Sequence, residues 1–250
     1  MFRFLLLRRL ILIGLFVLIA WGSLLLCYLL EGVSYNYLLI SNFVFLGSFI
    51  LAGWFLLEFC FLLGGLNGAT ILIRLTGLKN ILHQGSGNPG TTNVMRLYGV
   101  SAGLFVFLFD FLKGFLPLWI LKQISVAFIS DLETYFGQII LAASLTQLVC
   151  GHIFSPLLNG RGGKGVATLF GGLFAYDFYF FYVATTAWLL TFVLTRLSAL
   201  SSLIMVAVLA STLIQQKEFF LLPVLCLVFL RHRSNWASWK ESKGNQVSGL

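Results

Sequence analysis

The chain has 250 residues, 59% of them hydrophobic and only 10% charged, with a mean hydropathy of +0.97. Soluble domains carry about a quarter charged residues, so a water-soluble fold is excluded, together with the disordered, collagen-like and disulfide-scaffold classes. The net charge of +8 does not mark a nucleic-acid binder, because the basic residues are scattered over short loops.

Apolar runs follow one another at 10–30, 42–66, 100–121, 136–150, 166–176, 178–195, 199–214 and 219–230. A span needs about 20 mostly apolar residues. The expected fold is therefore an all-α integral membrane protein, a polytopic helical bundle of about 7–8 transmembrane helices. The shortest runs are candidates for half-helices or re-entrant pieces. The first run follows Arg3, Arg8 and Arg9, has no small-residue cleavage site after it, and reads as a retained helix. With the N-terminus inside, 13 of the 16 basic residues fall on the cytoplasmic side. Glu31, Asp131, Glu133, Asp177 and Glu218 fall on the other, which is the orientation the positive-inside rule selects.

Within the runs, Gly64 with Gly68 and Gly99 with Gly103 form GxxxG pairs, which predict tight helix packing. Asp110 and Lys113 stand one helical turn apart, and as intramembrane charges they are expected to face protein or water and to pair. Cys27, Cys60, Cys150 and Cys226 lack metal or disulfide spacing and read as small hydrophobes.

Three polar segments interrupt the apolar monotony, all on the side expected to be cytoplasmic. The first runs from Gly85 through Ser86, Gly87, Asn88, Pro89, Gly90, Thr91 and Thr92 to Asn93, followed by Arg96. Glycines permit close backbone approach and anion-binding nests, and Arg96 adds a forked cation suited to phosphate. The second holds Gly151, His152 and Pro156, then Arg161, Gly162, Gly163, Lys164, Gly165 and Thr168. It is not a nucleotide P-loop, since Gly165 stands where Ser or Thr must follow the lysine. It does place two cations at a helix start, where anions are favoured. The third is Arg231, His232, Arg233, Ser234 and Asn235. Its arginines read equally well as a stop-transfer cluster, whereas His232 and Asn235 can share one helical face. Together the segments predict a site for an anionic headgroup and an acyl chain, at one end of a hydrophobic bundle.

These segments resemble the three signature motifs of the bacterial membrane acyl-phosphate:glycerol-3-phosphate acyltransferases, the PlsY family. The family's GSGNxGxTN…R resembles Gly85 to Arg96, its GHxxxP…GGKGVAT resembles Gly151 to Thr168, and its HRxN resembles His232 to Asn235. Asp110 to Gly114 resembles its DxxKG, and Thr195-Arg196 with Ser202 its TR…S. The resemblance implies transfer of an acyl group from acyl phosphate to the 1-hydroxyl of sn-glycerol 3-phosphate. It implies Ser86, Arg96, Lys164, Ser202, His232 and Asn235 as catalytic-site residues. It also implies a phosphate-holding shell of Gly85, Gly87, Asn88, Gly90, Thr92, Asn93, His152, Arg161, Gly162, Gly163, Gly165 and Thr168. The expected partners are acyl phosphate, glycerol 3-phosphate, membrane lipid and the enzyme that makes acyl phosphate. No metal, cofactor or nucleic acid is expected.

The expected organisation is an extra N-terminal span and loop at 1–41, an acyltransferase membrane domain at 42–235, and a cytoplasmic tail at 236–250. The expected place is the bacterial inner membrane. The HxxxxD pair of acyl-CoA-type enzymes is missing, since Asn88, Leu157 and Ala237 stand five residues after the three histidines. A phosphate-handling transporter would place its polar groups near the bilayer midplane rather than at one face. The remaining alternative is an inactive family member that binds lipid or a partner.

Overall fold

The computed structural model describes residues 36–78, 81–128 and 135–233. The expected first span at 10–30, the acidic stretch at 131–133 and Asn235 lie outside the described residues. Every regular element described is helical: α1 (Asn36–Gly65), α2 (Gly68–Thr76), α3 (Thr91–Tyr98), α4 (Val100–Phe128), α5 (Tyr135–Ile153), α6 (Val166–Tyr176), α7 (Phe178–Thr195), α8 (Ser198–Gln215) and α9 (Leu222–Arg231). The chain divides into two compact units, residues 1–56 and 57–250. The described part of the first is the leading portion of α1. The second carries everything that follows.

Five described helices are long and apolar enough to cross a membrane, over Leu46–Gly65, Val100–Ile124, Gly137–Leu158, Phe178–Thr195 and Ser198–Gln215. Val166–Tyr176 and Phe219–Arg231 are shorter apolar helices. Large side chains such as Leu194, 83% exposed, cover the outer surface. Such a surface suits lipid and not water. The protein is a multi-pass membrane protein.

Sequence chemistry explains where the helices stop. The helix of the 42–66 run ends where the run does, because Gly65, Leu66 and Asn67 break α1 from α2. Asn67 caps α2 by accepting from the Thr70 N–H at 3.0 Å, and its amide donates to the Pro89 carbonyl at 3.0 Å. Asp177 ends α6 and starts α7, accepting from the Tyr179 N–H at 2.7 Å. At the same end of α6, Lys122 donates to the carbonyls of Ala175 and Tyr176 at 3.3 and 2.9 Å. Tyr176 reaches Glu218 at 3.5 Å.

Two close crossings build the bundle. Gly64 and Gly151 let α1 and α5 touch backbone to backbone, since a Cβ on Gly64 would strike Leu148 and one on Gly151 would strike Phe61. Gly114 and Gly171 do the same for α4 and α6, against Thr168 and Phe111. The Gly64–Gly68 spacing therefore does not mark one packing face. The break falls between the two residues, and Gly68 packs instead on Val106 and Phe109 of α4. Gly99 meets nothing, while Gly103 packs on Met95. Beneath the first polar segment, Ala69, Ile81, Val94 and Val106 form a buried cluster that seats α2 and α3 on α4.

Candidate active site

The first polar segment is folded by its own asparagine. Asn93 accepts from the Ser86 N–H at 3.1 Å and donates to the Gln84 carbonyl at 3.0 Å, holding the turn against α3. The stretch expected to be loop becomes helix from Thr91. Its one-turn spacing of Val94 and Leu97 gives α3 an apolar side for the cluster below.

The second segment closes back on itself. The N–H groups of Gly162 and Gly163 donate to the carbonyls of Ile153 and His152 at 3.0 and 3.1 Å. These two N–H groups are spent on the protein, whereas the resemblance implied that both glycines hold phosphate. A Cβ on Gly163 would overlap the His152 ring, so these glycines serve close approach. The third segment grips the second from outside: Arg231 donates through Nη2 to the Gly162 carbonyl at 2.9 Å and through Nε to Gly163 at 3.2 Å. Arg231 is thus a clamp on the loop. Arg233 and Arg161 are exposed.

Under the loop lies a buried ionic group. Lys113 sits 2.8 Å from Asp110 and 2.9 Å from His152 Nδ1, and it donates to the Leu66 carbonyl at the helix break. The Gly68 N–H donates to Asp110 at 3.3 Å. The expected Asp110–Lys113 pair forms, with His152 as a third member.

All of this surrounds one cavity of about 660 Å3. Its polar wall holds Ser86, Asn88, Gly90, Thr92, Asn93, Arg96, His152, Lys164, Gly165, Ser202 and His232. The first turns of α3 and α6, through Thr91, Val166 and Ala167, also face it. A helix start offers free N–H groups and partial positive charge. Gly85, Gly87, Arg161, Gly162, Gly163 and Thr168 do not line the cavity. Thr168 is fully buried, and its hydroxyl has no partner.

Two groups here carry displaced titrations. Burial, reinforced by the neighbouring Arg231 charge, lowers the Lys164 ammonium from 10.5 to about 8. Burial lowers His232 from 6.5 to about 4, with the Lys164 and Arg231 charges adding to it against the opposing Val228 hydrogen bond. His232 Nδ1 lies 2.8 Å from the Val228 carbonyl. A carbonyl only accepts, so Nδ1 carries the proton and the neutral ring keeps its lone pair on Nε2. Ser202 donates to the Ser198 carbonyl at 2.9 Å and accepts from Trp188 Nε1 at 3.1 Å. Its hydroxyl therefore holds an aromatic wall in place.

A family model described as glycerol-3-phosphate acyltransferase matches residues 54–241. The chain belongs to the glycerol-3-phosphate acyltransferase family. The family member of Haemophilus ducreyi is 42% identical over 171 residues, covering 67% of this chain and 80% of its own. That of Pectobacterium carotovorum is 35% identical over 173 residues, covering 68% and 77%. A crystal structure of PlsY, an integral membrane glycerol 3-phosphate acyltransferase, in its glycerol 3-phosphate form matches with a TM-score of 0.67 at 29% identity. That match covers 76% of this chain and 93% of that one. The lysophosphatidic acid form matches with a TM-score of 0.65.

The cavity of this family member also contains residues that the motif reading left out of the site. Arg196, in a left-handed conformation (φ 59°) at the end of α7, joins Arg96 and Lys164 as a third cation. Asp110 reaches the wall, neutralised by Lys113. The apolar wall is built from Phe107, Phe111, Phe170, Phe181, Trp188 and Phe192. Asp110 was detectable as a charge inside an apolar run. The rings were not, because Phe occupies 26 positions and nothing distinguishes a lining ring from a lipid-facing one.

Proposed function

We propose that the enzyme transfers the acyl group of an acyl phosphate to the 1-hydroxyl of sn-glycerol 3-phosphate, releasing 1-acylglycerol 3-phosphate and inorganic phosphate. The observation that carries this reading is the division of one cavity into two chemistries. One end presents Arg96, Lys164, Arg196 and two helix starts, and the other presents aromatic rings. A phosphate on an acyl chain, beside a second small phosphate, fits that division. The two crystal forms of PlsY, the glycerol 3-phosphate form and the lysophosphatidic acid form, support the acceptor and the product.

Both substrates are anions, so the first task is to neutralise their repulsion and hold them in reacting geometry. Arg96, Arg196 and Lys164 do this, and the starts of α3 and α6 receive phosphate oxygens. The Ser86 hydroxyl donates to the acyl carbonyl oxygen as negative charge grows there. His232 Nε2 accepts the proton of the attacking glycerol hydroxyl. The new C–O ester bond forms, the carbonyl-to-phosphate bond breaks, and the proton passes to the departing phosphate. Asn235 remains a proposed site residue on the resemblance alone. The charge pattern, with 13 of 16 basic residues expected on the same side as the three motifs, supports placing this site on the cytoplasmic side of a bacterial inner membrane.

Phosphate release by purified protein tests the proposal. Release is expected from acyl phosphate only when glycerol 3-phosphate is present, with lysophosphatidic acid formed one for one. Turnover as fast with acyl-CoA as with acyl phosphate overturns the donor assignment.

A further inference from the structure

The aromatic end of the cavity is backed by a second layer of rings, and that layer has a centre. Along α7 the lining residues Phe181, Thr185, Trp188, Phe192 and Arg196 form one stripe at helical spacing. Arg196 lies at the cationic end, and Phe181 lies four turns away, roughly 22 Å along the axis. On α4 and α6 the last lining rings are Phe111 and Phe170. One turn further along each of these helices stand Phe115 and Phe174, and one turn before Phe181 stands Phe178. None of the three lines the cavity.

Phe174 is the hub of this second layer. Its ring centroid is 4.9 Å from Phe181, 5.4 Å from Phe115, 5.7 Å from Phe178 and 6.0 Å from Phe111. Edge-to-face contacts at these distances add about 0.5–1.5 kcal/mol per pair beyond area burial, so the rings lock one another. Phe174 itself is 39% exposed. Beyond it, the bundle surface begins.

We propose that the ring cluster centred on Phe174 is the stop of the acyl channel and sets the longest acyl chain the enzyme accepts. This rests on the function proposed above. Phe174 does not itself line the cavity and meets none of its cations; it backs the lining rings Phe111 and Phe181. Truncating it releases Phe111 and Phe181 to swing aside and opens the channel toward the bilayer.

The test compares kcat/KM for octanoyl, lauroyl, palmitoyl and stearoyl phosphates in wild type, Phe174→Ala and the milder Phe174→Leu. Each methylene buried is worth about 0.8 kcal/mol, or roughly fourfold in kcat/KM. Wild type is expected to rise with chain length and then fall where the chain meets the rings. Phe174→Ala is expected to move the optimum to a longer donor and raise the ratio of long to short donor at least about fourfold. Phe174→Leu moves the same way by less, and decides alone if the alanine variant does not fold. An unchanged ratio, or an equal loss for every donor, overturns the stop. Failure of wild type to turn over any acyl phosphate overturns the function proposed above instead, and is seen in the first arm.

Discussion

Arg231 holds Gly162 through a 2.9 Å hydrogen bond from Nη2, with Nε reaching the next carbonyl at 3.2 Å. The last polar segment of the chain thereby sets the shape of the middle one, and with it the position of Lys164 two residues on. The guanidinium fork is what makes the double contact; an ammonium cannot reproduce it.

Arg231→Lys is accordingly expected to fold and insert normally while losing activity. Hydrogen bonds from a charged donor contribute about 1.5–3 kcal/mol, which sets the loss in kcat/KM at roughly 10- to 100-fold. Activity within twofold of wild type would remove the clamp from the mechanism.

Lys164 makes the pH profile asymmetric. Its ammonium titrates near 8, against an ordinary 10.5, while His232 stays neutral down to about 4. In the free-enzyme parameter kcat/KM, activity is expected to hold from about pH 5 to 8 and fall above 8 as Lys164 loses its charge. Stability should move oppositely. The unfolded chain still binds the Lys164 proton between about 8 and 10.5, where the folded one does not, so this residue's contribution to stability rises with pH across that window. Lys164→Arg is expected to push the alkaline fall upward. A fall at the same pH in both proteins would assign it to another group.

His232→Gln preserves much of the side-chain volume and can still reach the Val228 carbonyl, but offers a poor proton acceptor. A positioned general base contributes about 10²–10⁴-fold, and a loss in kcat of at least the lower figure is expected with KM for glycerol 3-phosphate little changed. Single-turnover assays that show an unaltered chemical step would shift the proton to the substrate phosphate.

The Asp110–Lys113 pair is buried at 2.8 Å with almost no exposure of either side chain. Removing one member strands the other charge, at a cost of about 3–5 kcal/mol. Lys113→Met and Asp110→Asn should each lower the melting temperature in detergent strongly, and the double variant should recover part of the loss. Strict additivity in that cycle would mean the two side chains act independently.

Much of this protein was legible from residue order. Long apolar runs could only be helices in a bilayer, and Asp110 and Lys113, charges inside such a run, predicted their own pairing. The apolar run read as ending at 66 anticipated the break at Asn67, but the helix α2 beyond it was hidden, because nine residues are too few to stand out as a span. The glycines at 162 and 163 entered the phosphate shell through the family resemblance alone, and nothing in the residue order shows that backbone closure on His152 and Ile153 uses up their N–H groups. Trp188 and the phenylalanine wall escaped notice because lining and lipid-facing rings are chemically identical in a sequence.

Helix α6 has only 11 residues, and so rises roughly 16 Å, about half of a ~30 Å hydrocarbon layer. Its Tyr176 end is anchored among Lys122, Asp177 and Glu218, a cluster suited to one membrane boundary. On the function proposed above, its other end, carrying Gly165 and Lys164, would form the floor of a wet dimple sunk below the cytoplasmic face of the bilayer. The two reactants then need not share an entrance. The small water-soluble one sinks down from the aqueous phase, while the oily one slides in within its own leaflet. The finished lipid can drift away sideways, and at no stage does an alkyl tail have to be hauled out into water.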